Sequence, residues 1–479
     1  MTLAIAEQDI LQSLIRDNPW WEHGQATAIG RFKHVRAYFP SFKALALDWR
    51  VRRAVILLGP RRVGKTFMLE QLIGAALKDG FPAKQIFFTS IDTPIYSGMP
   101  LERLVHFFEK KTEHDPDDKR IIVFDEIQYL KDWEVHLKTL SDRYPNTRFI
   151  ASGSAAAALR LKSQESGAGR FTDFFLPPLT FSEFLDFLGL ETALIAPDQA
   201  RPESRFKTHD IAALNRAFID YLNFGGYPES VLNTAIQSNV QRYLGRDIVD
   251  KVLLRDLPSL YGIQDIQELN RLFTTIAYHS GHEMSLEGLA TTSGVAKNTI
   301  SRYLEYLEAA FLIVRVRRVD DCGKTFKRMR KFKTYLLNPS MRAALFAPLQ
   351  ETDQDVIGHM AETAIFSQWF HSEHLTRIHY ARWKSGRQDR EVDLVHVNPA
   401  TLRPSWAYEV KWSDRHVDHP EELKGLIEFA RKNLAGVPVG ATTRTQTAQT
   451  VIEGITIRYF PCALHCYQIG RNVVEGRPA

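Results

Sequence analysis

The chain alternates short unbroken apolar runs with stretches whose apolar residues recur every three or four positions, the pattern of buried strands interleaved with amphipathic helices. Residues 54–58 form the first run, and FMLEQLIGAAL after them has helical spacing. Residues 85–89, 121–124 and 148–151 are further apolar runs bounded by turn-forming or acidic residues, and each predicts a buried strand. Strands and helices in this order predict an α/β domain with a parallel sheet. Ahead of it, residues 1–50 predict a helical lead-in, with Ile10, Leu11, Leu14 and Ile15 at helical spacing and a turn at Asn18-Pro19. Residues 211–260 read as helical, interrupted by a turn at 224–228. Residues 285–304 spell a helix, a turn at Gly294 and a second helix, and 311–319 alternate apolar with basic residues as a wing strand does. Beyond 356 the pattern predicts a helix at 358–369, strands at 378–383, 391–397 and 405–412, and a helix at 421–434.

The most informative stretch is Gly59-Pro60-Arg61-Arg62-Val63-Gly64-Lys65-Thr66, which matches G-x-x-x-x-G-K-[ST] at every fixed position between a predicted strand and a predicted helix. Glycines let backbone N–H groups curl around phosphates, Lys65 reaches the β/γ-phosphates, and Thr66 holds Mg²⁺. ATP is the expected ligand. The run 121–124 ends on Asp125 and Glu126, so its strand delivers Asp125 to the Mg²⁺ shell and Glu126 to where it polarises water. The run 148–151 ends on Ser152-Gly153-Ser154, which places Ser152 or Ser154 beside the γ-phosphate or serves only as turn chemistry. Arg170, ahead of the apolar stretch 174–179, is a candidate source of charge for phosphoryl transfer.

Lys297, Asn298, Thr299 and Arg302 fall in the opening turns of the second helix of the helix-turn-helix pattern, where base and phosphate contacts are made. Residues 324–333 add six basic side chains in ten positions. Together these make the strongest basic concentration in the chain and an expectation of DNA contact.

GPRRVGKT, VFDEIQYLKDW, FIASGS, GRF with LPPLTFSEF, and FGGYPES follow one another in an order that resembles the prokaryotic AAA-type P-loop ATPases carrying a C-terminal domain of unknown function, from about residue 15 to about residue 415. The resemblance implies an AAA-like parallel-sheet core, a helical lid and winged helix, and a restriction-endonuclease-like α/β domain at the C-terminus. It also implies that Gln128 and Arg170 lie near the nucleotide, and it leaves the finger arginine unassigned. Within the last domain, Asp393 followed by Glu409-x-Lys411 resembles the PD-(D/E)XK nuclease core, with Glu362 matching that fold's helical acid. Three carboxylates of this kind hold Mg²⁺ or Mn²⁺ at a scissile phosphate while the lysine orients water.

At 479 residues the chain is long enough for about three domains, taken as 1–200 for the ATPase with its lead-in, 201–345 for the helical and winged-helix region, and 346–479 for the nuclease-like domain. A net charge of +5 permits an anionic partner without demanding one. Three cysteines cannot build a disulfide framework, and no apolar stretch is long enough to span a bilayer, so the expectation is a cytoplasmic protein with no membrane partner. The expected function is ATP binding and hydrolysis controlling a DNA-directed, Mg²⁺-dependent nuclease domain. The alternative is a DNA-binding regulator or protein-interaction switch with a non-catalytic C-terminal domain. A finger arginine supplied in trans would require a homo-oligomer.

Overall fold

The structure, a computed structural model, describes residues 6–24, 33–113, 118–153, 169–199, 205–326, 330–370 and 376–477, with no side chains described at 247–249 and 259–260. It divides into two compact units, Met1–Pro177 and Pro178–Ala479.

The first unit is built on five parallel strands: β1 (Ala54–Leu58), β2 (Ile86–Ser90), β3 (Arg120–Asp125), β4 (Thr147–Gly153) and β5 (Phe171–Phe175). Their order is β2-β3-β4-β1-β5, so β4 is inserted between the strands that precede the two nucleotide motifs. Every residue of β1 and β3 is buried, which explains why these strands read as continuous apolar runs rather than alternating ones. β2 is an edge strand, and the lead-in covers it. Trp20 and Trp21 donate their indole N–H groups to the Ile86 carbonyl at 3.0 and 2.7 Å. The Asn18 side chain donates to Phe88 O at 2.8 Å and accepts from Phe88 N at 2.7 Å. Asn18 thereby acts as a missing strand neighbour, satisfying backbone groups that an open edge would leave unpaired.

The second unit contains a small antiparallel hairpin, β6 (Ile195–Pro197) with β7 (Phe206–Thr208), and one nine-stranded mixed sheet. The large sheet comprises β8 (Glu283–Ser285), β9 (Ile313–Val319), β10 (Lys331–Leu336), β11 (Ile378–Ser385), β12 (Gln388–Val397), β13 (Pro404–Glu409), β14 (Val439–Thr443), β15 (Ala448–Ile452) and β16 (Ile455–Pro461), in the order β15-β16-β14-β13-β12-β11-β9-β10-β8. Three helices, Ile266–Tyr278, Leu286–Ser293 and Lys297–Ala309, accompany the antiparallel β8, β10 and β9.

The expected division at 345/346 is not a break in the fold. β9 pairs in parallel with β11 through Arg318 and Tyr380 and through Val319 and Ala381, so the strands after the helix-turn-helix and those of the C-terminal region share one sheet. The division expected at 200 likewise falls inside the second unit. The sheet supports two apolar clusters. One gathers Val316, Tyr335, Tyr380 and Leu394 with the helices Gln354–Gln368 and Cys462–Val474, and the other gathers Val319, Val392 and Val395 with Lys424–Asn433. Gly425 allows the last of these helices its approach, because a Cβ there would stand 2.2 Å from the Glu391 carbonyl oxygen.

Candidate functional site

The loop after β1 turns sharply, with positive φ at Arg62 and Gly64, and delivers its chain into the helix Lys65–Lys78. Gly59 has no room for a side chain, since a Cβ would lie 2.1 Å from the Leu176 carbonyl oxygen. The buried Arg36 donates to Val63 O at 2.8 Å and pins the loop from the lead-in, a role for which the sequence carries no motif. Lys65 is buried and donates to the carbonyls of Gly59 and Pro60 at 3.1 and 2.9 Å. Burial lowers its pKa, while Glu126 and Asp125 favour the charged form.

Asp125 closes β3 beside this loop. It accepts from Thr66 Oγ1 at 2.7 Å on one oxygen and from Ser152 Oγ on the other. Burial raises its pKa, and the Ser152 hydrogen bond opposes the shift. Ser152 Oγ in turn accepts from Glu126 N at 3.1 Å, so its hydroxyl bridges the two acids. Glu126 adopts φ 52°, which turns the chain immediately after the strand, and Gln128 Nε2 donates to its carboxylate. Ser154 lies outside the described residues.

Arg170 requires a correction. It precedes β5, and its carbonyl accepts from Ala54 N at 2.9 Å, which places it at the N-terminal edge of the sheet. The P-loop follows the other end of five-residue β1, roughly 16 Å along the strand. Arg170 is half exposed and pairs with Asp142 at 2.7 Å. Parallel pairing of β1 with β5 therefore keeps it away from the P-loop of its own chain.

In the second unit, β10, β12, β13 and the helix Gln354–Gln368 bring a dense set of charges together. The register between β11 and β12 slips after His379, leaving Asp393 and Leu394 opposite Tyr380, and this bulge re-aims the strand where Asp393 enters the cluster. Lys411 Nζ lies 2.7 Å from Glu409 Oε1 and 3.8 Å from Asp393 Oδ2. Asp393 Oδ2 also accepts from Val410 N at 3.0 Å. At the centre is Lys333, whose side chain is 2% exposed and whose Nζ lies 2.8 Å from Glu362 Oε1, 2.6 Å from Glu391 Oε1 and 3.1 Å from Asp393 Oδ1. Tyr335 Oη donates to Glu362 Oε1 at 2.6 Å.

The electrostatics follow from burial with close neighbours. Burial and the Asp393 charge push Glu362 and Glu409 each up to about 7. Burial also acts upward on Asp393, but Lys333 and Lys411 outweigh it and hold this carboxyl below its ordinary value. Burial disfavours the Lys333 charge, yet Glu362 and the other acids around it keep the ammonium protonated well above the usual range. A cavity of about 530 Å³ adjoins the cluster, with His282, His359 and Arg382 also on its wall.

The acids expected to hold a metal lie around a lysine. Among the described residues, the three-residue group of potential ligand atoms lying within 4.8 Å of one another is Asp320, Asp321 and Cys322, while Glu362, Asp393 and Glu409 form no such group. The Lys333 ammonium stands between Glu362 and Asp393 instead. Lys333 belongs to the basic run that suggested a DNA-facing patch; its placement in the carboxylate cluster removes it from that surface. The strand alternation of KFKTYL, which puts Lys331, Lys333 and Tyr335 on one face, was the signal available for this.

On the helix Lys297–Ala309, Lys297, Asn298 and Arg302 are exposed and Thr299 is half-buried. Lys297 pairs with Glu287 at 3.1 Å, and Arg302 Nη2 donates to Tyr306 Oη at 3.2 Å.

Comparison with known proteins bears on the first unit most directly. Residues 51–185 match a family model described as an AAA domain, and residues 215–354 match one described as a domain of unknown function. With the P-loop geometry above, the chain carries an AAA-type P-loop domain. It is similar to an uncharacterized protein of Methanocaldococcus jannaschii, 25% identical over 269 residues that cover 54% of this chain and 55% of that relative. It is also similar to an uncharacterized protein of Haemophilus influenzae, 22% identical over 292 residues that cover 60% of this chain and 68% of that relative. The match thus spans about half the length of the archaeal protein. Among solved structures, AMPPCP-bound DnaA from Aquifex aeolicus shares 13% identity over 58% of this chain and 90% of its own, with a TM-score of 0.28. Cdc6p from Pyrobaculum aerophilum shares 14% identity over 66% of this chain and 94% of its own, with a TM-score of 0.28. No helix among the described residues is long and apolar enough to cross a membrane.

Proposed function

We propose that the protein binds and hydrolyses ATP in its first unit and uses the nucleotide state to control a DNA-directed second unit. The observation that carries the ATPase reading is the contact of Thr66 and Ser152 with opposite oxygens of Asp125, at the end of the strand that also presents Glu126. A Mg²⁺ ion fits there, because a hydroxyl and a carboxylate 2.7 Å apart are the hard oxygen donors it prefers, and Thr66 and Asp125 would hold it. When bound, it supplies charge neutralisation at the β- and γ-phosphates. Residues 59–64 wrap the phosphates, with backbone N–H groups from every position but Pro60, and Lys65 exchanges its loop carbonyls for phosphate oxygens. Glu126, steadied by Gln128, orients the attacking water and takes its proton.

In the second unit, the helix-turn-helix with β8 to β10 is read as a winged helix, and Lys297, Asn298, Thr299 and Arg302 as its DNA contacts. Phosphate contacts of this kind make affinity fall with salt, and removing a cation reduces the slope. This reading assigns three functional regions: nucleotide, DNA contact and carboxylate cluster. Lys333 among the carboxylates favours the reading in which the restriction-endonuclease-like region is a binding or regulatory module over the one in which it cuts DNA. An Arg170 finger in this reading acts only in trans, within a homo-oligomer.

The test measures ATP turnover and DNA binding by anisotropy on the whole chain. ATPase that depends on Lys65 and Glu126, with a DNA salt slope that flattens in Lys297→Ala/Arg302→Ala, supports the proposal. Undiminished ATPase in Lys65→Ala overturns its first half, and salt-insensitive DNA affinity overturns its second. Supercoiled DNA incubated with Mg²⁺ or Mn²⁺, with and without ATP, beside Lys411→Ala, decides between the module and the nuclease.

A further inference from the structure

Lys333 occupies a position that a cation-binding cluster ordinarily reserves for its ion. An ammonium with its side chain 2% exposed is costly to bury, and it is held here by carboxylate oxygens of Glu362, Glu391 and Asp393 at 2.6 to 3.1 Å. Divalent cations draw oxygen ligands around one centre in the same way, at about 2.0–2.6 Å. The wider spacing here is that of N–H···O hydrogen bonds around a nitrogen, and with Lys333 in place Glu362, Glu391 and Asp393 do not bring one oxygen each within 4.8 Å of one another, so an ion would draw them inward.

Two further observations point the same way. Glu409 Oε2, a buried carboxylate oxygen, has no hydrogen-bond partner among the described residues. Its other oxygen is engaged by Lys411, which at 3.8 Å from Asp393 is too distant to replace Lys333 in a hydrogen bond. The cluster therefore holds four carboxylates, Glu362, Glu391, Asp393 and Glu409, against two ammoniums and the Arg382 guanidinium, which lies 3.5 Å from Glu391 Oε2, and among the described residues only Lys333 sits where three of the acids converge. β10, which carries Lys333, is hydrogen-bonded to β9 on one side and β8 on the other, so its backbone is fixed.

We infer that Lys333 is the built-in cation of this cluster: it takes the place of a divalent ion among Glu362, Glu391 and Asp393, so the site takes up no Mg²⁺ or Mn²⁺ while Lys333 is inserted and acquires one when the ammonium is removed. The inference stands apart from the ATPase reading, and it concerns binding rather than cleavage.

Mn²⁺ titrated into the full chain without nucleotide, followed by the electron paramagnetic resonance signal of the free ion, tests it. Lys333→Met keeps the apolar stem and removes the charge. That variant is expected to bind an additional Mn²⁺ relative to the wild type, and Lys333→Met/Glu362→Gln is expected to weaken the gained site at least about tenfold. An Asp125→Asn background removes any contribution of the P-loop to either measurement. Wild type and Glu362→Gln are expected to take up the same amount of Mn²⁺. A folded Lys333→Met that gains no Mn²⁺ overturns the inference, and so does wild-type uptake that Glu362→Gln abolishes. Should Lys333→Met fail to fold, Lys333→Gln replaces it in the same titration, and a folded variant that gains no Mn²⁺ overturns the inference, as does a difference between wild type and Glu362→Gln.

Discussion

Thr66 Oγ1 donates a hydrogen bond of 2.7 Å to Asp125 Oδ2, joining the end of the P-loop to the end of β3 across 59 positions of sequence. Neither residue reaches the other through local structure. The parallel sheet aligns the C-terminal ends of β1 and β3, and with β4 between them the two motifs meet over a gap that Ser152 helps to fill.

Thr66→Ala deprives Asp125 of one donor and removes a proposed Mg²⁺ ligand. ATP turnover is expected to fall by about 10²-fold or more, with nucleotide binding retained in EDTA. Lys65→Ala is expected to lose binding itself, as read by a fluorescent ATP analogue.

Glu126→Gln separates binding from hydrolysis. The amide keeps the shape of the side chain but cannot accept the water's proton, so kcat is expected to drop by about 10²–10⁴-fold. ATP remaining intact on the isolated protein checks this outcome.

Arg170→Ala breaks an exposed pair with Asp142, which costs about 0–1 kcal/mol. Nucleotide binding by the dilute protein is expected to be unchanged. If turnover rises with protein concentration in the wild type and that rise is lost in Arg170→Ala, the arginine acts on a neighbouring copy.

Asp393→Ala removes the carboxylate that Lys333 and Lys411 both face and leaves Val410 N without its acceptor. Destabilisation of about 3–5 kcal/mol is expected from chemical denaturation. Glu421→Ala, at an exposed carboxylate near His419, serves as the control and is expected to stay within about 0.5 kcal/mol of the wild type.

His465 stacks on Tyr408 with ring centroids 4.4 Å apart, and burial pushes its pKa down to about 4. The unfolded chain holds a proton on this ring below about 6.5, where the folded chain does not. Stability from His465 is therefore complete above pH 6.5 and is lost as pH falls toward 4, with no further loss below that. The advantage of wild type over His465→Gln is expected to shrink by up to about 3 kcal/mol across this window, less as far as the ring's solvated edge relieves the burial. Urea denaturation at a series of pH values measures it.

What the sequence determined by itself is local. The P-loop needs glycine where Leu176 presses against Gly59, and its residue types sit in eight consecutive positions, so the motif was legible without the fold. The runs that became β1, β3 and β4 were legible because strands covered on both faces are apolar through their middles. Asp125 and Glu126 followed from their place at the end of such a run. The helix-turn-helix pattern was legible from spacing and Gly294, whose φ of 74° ends the helix Leu286–Ser293.

Tertiary structure decided which charges meet. Arg170 reads as a site residue by its position in the chain, but parallel pairing of β1 with β5 puts it at the edge away from the P-loop. Lys333 reads as one more cation in a basic run, but β10 carries it beneath Glu362 and Asp393, 29 and 60 residues further along. The physical reason is that a charged side chain has no intrinsic destination. Apolar periodicity fixes the elements and the faces they bury, whereas sheet order and register set which ions lie within 3 Å of one another.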